Sequence, residues 1–218
     1  MRLLATQYNH DNPTASRVLV PASIGSGGGL RALDAGAIDV AIVAKLPATS
    51  DALVPHHFAR VPLIFASGTK TPTLTLDEIA QIYHGERERW PDGTSIVPLY
   101  RESTDSSLAL ITENTPALAD ALAPPSSSEP GIVLQTDQQM LDALERVEGS
   151  IGFIDIGTAS SSDHAIESLL AEDASSTWSH DLHILHAAAP RAEVQDFIDY
   201  VRSDRARDLL ESKGYVFE

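Results

Sequence analysis

The sequence predicts an α/β protein with mostly parallel sheets, because apolar segments of strand length alternate with segments of helical periodicity. Residues 38–44 and 61–67 are nearly continuous apolar runs, which is typical of buried strands. Residues 75–83 instead predict a helix, in which Thr75 is the N-cap and Glu78, three positions later, completes a capping box. No internal repeat interrupts this alternation.

Periodicity and the positions of glycine and proline predict the remaining elements. Helices are predicted at residues 1–10, 28–36, 106–115, 116–122, 136–147 and 192–213, the last one broken near residue 203. Strands are predicted at residues 17–22, 54–59, 95–100, 131–134, 149–156 and 182–187. Gly36 is the expected C-cap of the second helix. The stretch Ala-Pro-Pro-Ser-Ser-Ser-Glu-Pro at residues 123–130 predicts a flexible surface loop.

Composition narrows the class of protein. The chain has 218 residues, of which 43% are hydrophobic and 21% are charged. This length and composition predict a globular protein with one large or two small cores. The formal net charge of −16 opposes general binding of nucleic acid. The absence of cysteine excludes disulfides, thiolate metal sites and a cysteine nucleophile. No apolar run reaches the length that a membrane-spanning helix needs.

The first candidate binding segment is rich in glycine. Ser26, Gly27, Gly28 and Gly29 stand between an apolar run and a segment of helical periodicity. A strand, a glycine loop and a helix start together present backbone N–H groups and the positive end of a helix dipole to an anion, and Ser26 adds a hydroxyl donor. The alternative is a glycine-rich turn that only changes the direction of the chain, and the residues alone leave both interpretations open.

The second candidate segment follows the predicted strand at residues 95–100 and opens the next helix. It contains one guanidinium, that of Arg101, and the hydroxyls of Ser103, Ser106 and Ser107. An arginine fork can bind a tetrahedral oxyanion through two parallel hydrogen bonds. The alternative, also left open, is a helix N-cap beside a surface arginine that pairs with an acid.

Other combinations of residues give weaker signals. At the helix start near Thr136, capping is the favoured role for Asp137. His183 and His186 are three positions apart on a predicted strand and should face opposite sides, so neither a metal site nor a cofactor is expected. The sequence has no Gly-x-Ser-x-Gly elbow and no histidine positioned as a base, so no enzymatic activity is expected.

The order of the motifs resembles the phosphate-binding proteins of ABC transporters over nearly all of residues 15–158. The motifs are Ile-Gly-Ser-Gly-Gly-Gly-Leu at residues 24–30, Gly-Ala-Ile-Asp-Val-Ala at 36–41, Leu-Asp-Glu-Ile-Ala-Gln-Ile-Tyr-His-Gly at 76–85, the segment 101–107 and Gly-Ser-Ile-Gly-Phe at 149–153. The resemblance implies a type II periplasmic-binding-protein fold, with two α/β lobes joined by crossing strands and a ligand cleft between them. Lobe I is expected to comprise residues 1–66 and 184–218, and lobe II residues 67–183.

The resemblance also implies a function. The protein would be a solute-binding protein, not an enzyme, that captures a small oxyanion for an ABC transporter permease, with phosphate as the first candidate and other tetrahedral oxyanions as alternatives. It would act as a monomer in the periplasm or outside the cell, without nucleic acid. Its signal peptide, and the family's first strand, are expected to be absent from this sequence.

The family's binding residues carry over by position. Ser26 matches the serine that donates to phosphate, Arg101 matches the binding arginine, and Ser106 and Ser107 fall on the Gly and Thr that follow in the family motif. Two positions differ from the family. Asp105 replaces a serine, so it should cap the helix or pair with Arg101, and Ala44 stands where the family has an aspartate that accepts the proton of phosphate. The second hypothesis is therefore a ligand-sensing or interaction module of the same fold with a degenerate anion site.

Overall fold

The computed structural model describes residues 1–47, 52–69, 71–126, 131–162, 166, 168–170 and 178–217. The chain divides into two compact units. Unit 1 comprises Met1–Arg60 and Asp181–Glu218, and unit 2 comprises Val61–His180. These limits fall a few residues before the expected lobe boundaries, and the assignment of the units as lobes remains a prediction.

Helices and strands alternate along most of the described chain. The helices are α1 (Arg2–Asp11), α2 (Gly25–Asp34), α3 (Leu76–Tyr83), α4 (Ser106–Asn114), a 3₁₀ turn (Pro116–Leu118), α5 (Asp137–Arg146), α6 (Ile156–Ala159), α7 (Ala192–Val201) and α8 (Asp204–Glu211). The strands are β1 (Val40–Val43), β2 (Leu53–Ser67), β3 (Val97–Arg101), β4 (Ile132–Leu134), β5 (Ser150–Asp155) and β6 (Ser179–Ala187). The alternation confirms the predicted α/β class.

Unit 1 contains the strand order β1-β6-β2. Strand β1 pairs antiparallel with β6, and β2 with β5, so the prediction of mostly parallel sheets is wrong: the strands pair in both directions. Continuous apolar runs show that a strand is buried on both faces, but they do not determine the direction of its neighbour. Helices α1, α7 and α8 bury their apolar faces in one cluster, where the ring of Tyr8 meets that of Phe197 edge-on at 5.3 Å.

Unit 2 contains the strand order β2-β5-β3-β4. Strand β3 runs parallel to both β5 and β4, whereas β2 runs antiparallel to β5. On one face lies an aromatic cluster in which Phe65 meets Phe153 at 5.7 Å and Trp178 at 5.8 Å. The second face packs on α5 through Met140, and on α6. Because β3, β4 and β5 are parallel, their carboxyl ends meet at one edge of the sheet.

Several element starts and ends are confirmed because they depend on neighbouring residues only. The Thr75 side chain accepts a hydrogen bond from the N–H of Glu78, and the Glu78 carboxylate accepts one from the N–H of Thr75, which is the predicted capping box. Gly36 follows the C-cap of α2 with a φ of 67°, in the left-handed region that glycine tolerates. The last helical segment is interrupted near residue 203, as predicted.

The strand predicted at residues 17–22 is wrong. The N–H of Val18 donates to Asn9 Oδ1, and the carbonyl of Val18 accepts from Asn9 Nδ2, both at 2.9 Å. One side chain thus satisfies both polar groups of this backbone position, and Leu19 is 81% exposed instead of facing a core. The predicted helix at residues 116–122 is reduced to the 3₁₀ turn, and part of the predicted loop at 123–130 lies outside the described residues.

Helix α2 begins at Gly25, three residues before the predicted start, so the glycine-rich segment is the first part of a helix and not a loop. Gly25 has a φ of 68°, a conformation that glycine adopts without strain. A Cβ atom on Gly28 would lie 2.9 Å from the Cβ of Ile24, so the absence of a side chain allows this close packing. The glycines that predicted a loop therefore permit a helix to start at this position.

The core of unit 2 yields a stability prediction. Leu63 is fully buried in the aromatic cluster, and replacing it with alanine should lower the free energy of unfolding by about 2–5 kcal/mol, through lost burial and the cavity that remains. The matched control is Leu19→Ala, which removes the same atoms from an exposed side chain. Chemical denaturation of both variants measures the difference, and equal losses would contradict this description of the core.

Candidate functional site

The candidate site of unit 2 lies at the carboxyl edge of its parallel strands. Arg101 is the last residue of β3, not the first residue of a loop as predicted, and it pairs with Leu134, the last residue of β4. Asp155 is the last residue of β5. Asp137 is the first residue of α5, which follows β4 closely. The parallel arrangement therefore brings one guanidinium and two carboxylates from distant parts of the sequence to the same edge.

Arg101 is paired with two carboxylates. Its side chain is 3% exposed, its Nη2 atom donates to Asp105 Oδ2 at 2.5 Å, and its Nη1 atom donates to Asp137 Oδ1 at 2.8 Å. Burial lowers the pKa of Arg101, but the charges of Asp137 and Asp105 and their hydrogen bonds outweigh that effect and raise it. The guanidinium therefore stays charged in a buried position.

One nitrogen of this guanidinium makes no hydrogen bond within the described part of the chain. The Nε atom of Arg101 is buried and has no hydrogen-bond partner among the described residues. A buried N–H group without a partner costs about 1–3 kcal/mol, and more when it belongs to a charged group. Native structures contain few such groups, and a bound ion or water is one of the usual acceptors for them. The unused N–H of Arg101 therefore marks a position where an acceptor would be stabilised.

Asp105 both caps α4 and pairs with Arg101, so the two roles expected for it are confirmed together. Its Oδ1 atom accepts from the N–H of Ser107 at 2.9 Å and from the N–H of Leu108 at 3.0 Å. Its Oδ2 atom binds Arg101. The helix start near the candidate site is thus already occupied by a carboxylate of the chain itself.

The three serines in the candidate segment at residues 101–107 differ in solvent exposure and contacts. Ser103 lies in an exposed turn, and Ser106 is the half-buried first residue of α4. Ser107 is buried, and its Oγ atom lies 2.9 Å from Nε2 of His180. The structure therefore links Arg101 to Ser107 through Asp105, whereas Ser103 stands in solvent on the connecting turn. His180 was not identified from the sequence, because only the fold brings β6 to the start of α4.

Asp137 does not have the capping role favoured by the sequence. The N-cap of α5 is Thr136, whose hydroxyl accepts from the N–H of Gln139 at 3.2 Å. The carboxylate of Asp137 instead binds Arg101, 36 residues away in sequence. An acid just after one parallel strand, and an arginine at the end of its neighbour, could have predicted this pair had the order of the strands been known.

Asp155 is the third carboxylate of the site. It caps α6 by accepting hydrogen bonds from the backbone N–H of Thr158 at 2.8 Å and from its hydroxyl at 2.5 Å. Burial of the carboxyl group and, secondly, the negative charge of Asp137 raise the pKa of Asp155 from 3.8 to about 6. The site therefore holds more carboxylates than its single guanidinium can neutralise.

The candidate segment of unit 1 is the start of α2. No side chain caps this helix, because its N-cap residue is Ile24. The Oγ atom of Ser26 accepts a hydrogen bond from the N–H of Ala44 at 3.3 Å, which leaves the hydroxyl proton of Ser26 for another acceptor. Gly27 and Gly28 lie in the same first turn and place no side chain over it. This arrangement can donate to an anion.

Histidines of β2 and β6 form two pairs in unit 1. Nε2 of His56 lies 3.0 Å from Nε2 of His186, and the rings of His57 and His183 meet edge-on at 5.3 Å. Within the described ranges, no group of three or more histidine, cysteine or acidic residues could hold a metal ion. In that same part of the chain, every helix is too short or too polar to cross a membrane.

The raised pKa of Asp155 predicts how stability depends on pH. A carboxyl group with a higher pKa in the folded state adds stability below its unfolded value, near 3.8, and that stability is lost as pH rises through about 6. The Asp155→Asn variant keeps an oxygen that can cap α6 but cannot ionise. Denaturation between about pH 4 and pH 7 should therefore show the wild type losing stability relative to this variant. Asp77→Asn, on the exposed side of α3, is the matched control, and a wild-type-to-variant difference that is independent of pH would contradict the assignment.

Comparison with known proteins identifies the family. A family model described as a PBP superfamily domain matches residues 1–205. No curated protein sequence matches the chain. Because the family model covers most of the chain, the resemblance inferred from the motifs is confirmed.

Solved structures share the fold. A putative phosphate ABC transporter substrate-binding protein with bound phosphate from Clostridium perfringens has a TM-score of 0.73 at 16% identity, over 100% of this chain and 93% of that chain. The periplasmic molybdate-binding protein of Azotobacter vinelandii has a TM-score of 0.67 at 12% identity, over 100% of this chain and 94% of that chain. CbnR, a LysR family transcriptional regulator, has a TM-score of 0.59 at 13% identity, over 92% of this chain and 63% of that chain. These identities show a common fold alone: the chain has the fold of the type II periplasmic binding proteins and belongs to the PBP superfamily.

Proposed function

We propose that this protein is a solute-binding protein that captures a small tetrahedral oxyanion, with phosphate as the first candidate, for the permease of an ABC transporter. In this proposal it acts as a monomer outside the cytoplasmic membrane and binds no nucleic acid. The proposed anion donors, taking each unit by itself, are Ser26, Gly27 and Gly28 in unit 1 and Arg101, Ser103, Ser106 and Ser107 in unit 2. No residue of the proposed site is assigned a catalytic role.

The buried guanidinium of Arg101 is the observation on which the proposal depends. It lies at the carboxyl edge of a parallel sheet, which is where α/β proteins bind ligands, and its Nε–H lacks an acceptor in the part of the chain that the structure describes. Arginine presents paired N–H groups that match two oxygens of a phosphate. An oxyanion at this position would satisfy the unused donor.

The start of α2 supports the proposal independently. Ser26 accepts from Ala44 and so retains a hydroxyl proton for a ligand, and the helix has no capping side chain that competes for its first N–H groups. Ser107 contributes less, since its N–H already donates to Asp105 and its hydroxyl contacts His180. The two similar structures that are named as phosphate- and molybdate-binding proteins agree with an oxyanion ligand.

The second candidate function is a ligand-sensing or interaction module whose anion site is degenerate. Asp105 and Asp137 favour it, because both carboxylates occupy the guanidinium that an anion would need. The shared fold with a transcriptional regulator shows that this architecture also occurs in a protein named as a regulator. Titration with oxyanions separates the two functions.

The Arg101→Lys variant tests the role of the guanidinium. Lysine keeps the positive charge that the two buried carboxylates need but removes the fork and the Nε–H. Isothermal titration of the wild type with phosphate, sulfate, molybdate and tungstate should identify at least one ligand. The affinity for that ligand should fall about tenfold or more in the variant, because a charge-assisted hydrogen bond is lost.

Arg87→Lys is the matched control, since Arg87 of the same unit also forms an ion pair, with Glu78 at 2.9 Å. It should bind the anion as the wild type does. If a folded wild type bound none of the four anions at millimolar concentration, the transport function would be excluded in favour of the sensing module. Equal affinities in the wild type and Arg101→Lys would exclude Arg101 from the site.

Ser26→Ala tests the segment in unit 1. Loss of one hydroxyl donor to a charged ligand should weaken binding by about 1.5–3 kcal/mol, which corresponds to a factor of about 10 to 150. Ser23→Ala, in the exposed stretch before α2, removes the same group and should leave the affinity unchanged. The same titration measures both variants, and matching affinities would remove the start of α2 from the proposed site.

A further inference from the structure

The two carboxylates bound to Arg101 are held very differently. The Asp105 side chain is 8% exposed and accepts three hydrogen bonds, from Ser107, Leu108 and Arg101. The Asp137 side chain is 35% exposed, and the described residues give it one hydrogen-bond partner, Arg101. Because Asp105 also caps α4, moving it would expose a helix start, whereas moving Asp137 breaks one ion pair.

The helix that carries Asp137 does not depend on its carboxylate. Thr136 caps α5, so the Asp137 side chain can rotate toward solvent without loss of that cap. Rotation also takes its charge away from Asp155, with which it interacts unfavourably. The ion pair with Arg101 is thus the main interaction that holds Asp137 over the guanidinium.

We propose that Asp137 is an affinity-determining residue of the anion site, which occupies Arg101 when no anion is bound and is displaced when an oxyanion binds. The proposal rests on the proposed function, because it requires an anion at Arg101. The anion takes the Nη1 donor that Asp137 releases, while Asp105 keeps its contact with Nη2. No covalent bond forms or breaks in this exchange.

The carboxyl groups around Arg101 make anion affinity depend on pH. The charged groups that surround Asp137 are Arg101 at the end of β3, Asp105 at the start of α4 and Asp155 at the end of β5. Burial and the charge of Asp137 raise the pKa of Asp155 to about 6, so protonation of Asp155 removes a negative charge beside the site, and the affinity for an anion should rise as pH falls through about 6. Sulfate is the appropriate probe, since its own charge stays constant between about pH 5 and pH 8.

The decisive variant is Asp137→Asn, studied in the full chain by isothermal titration with phosphate and with sulfate. We expect it to bind the anion about tenfold more tightly than the wild type at neutral pH, because the competing charge is gone. Its affinity for sulfate should also depend less on pH. Asp142→Asn is the matched control, because it removes an exposed carboxylate from the same helix, and it should change the affinity by less than about twofold. Asp137→Ser provides a second variant in case the asparagine variant folds poorly.

Whether Asp137→Asn strengthens or weakens anion binding separates an affinity-determining role of Asp137 from a structural one. If Asp137 only holds Arg101 in place, its replacement weakens binding, and that result would overturn the proposal. The proposal would also be overturned if Asp137→Asn changed the anion affinity no more than Asp142→Asn does. If Arg101→Lys weakens anion binding while Asp137→Asn does not tighten it, the proposed function survives and this inference alone fails. If neither the wild type nor Asp137→Asn binds any oxyanion, both fail together.

Discussion

The burial of the Arg101 guanidinium is the constraint on which the architecture of unit 2 depends. A charge removed from water needs partners, and those partners here are the carboxylates of Asp105 and Asp137. One of them caps α4 and the other begins α5, so a single cation joins the end of β3 to the starts of two helices. The position of each helix start is therefore tied to the same charge.

This electrostatic balance also determines what the site can bind. One guanidinium faces Asp105 and Asp137, and Asp155 adds a third carboxyl group whose pKa is raised. An anion cannot simply add to such a cluster, because its charge would meet those of the carboxylates. In the proposed exchange, Asp137 leaves and the anion takes its place at Nη1 of Arg101. The same arrangement would serve transport or sensing, since both need a ligand-dependent change.

The sequence predicted those elements whose signals are local. The capping box at Thr75 and the left-handed glycine at Gly36 both depend on residues within one helical turn, and both were found. Predictions failed where a distant partner decided the outcome. Residues 17–22 form no strand because Asn9 satisfies the backbone of Val18, and β1 pairs antiparallel because β6, from the other end of the chain, is its neighbour.

The sequence by itself determined the α/β class, the capping box of α3 and, through the order of its motifs, the superfamily. It also predicted that Asp105 would cap the helix or pair with Arg101, and Asp105 does both. Only the tertiary structure decided that Asp137 and Asp155 share the edge of the sheet with Arg101. The physical reason is that caps form between residues one turn apart, whereas this cluster exists because β3, β4 and β5 run parallel and end together.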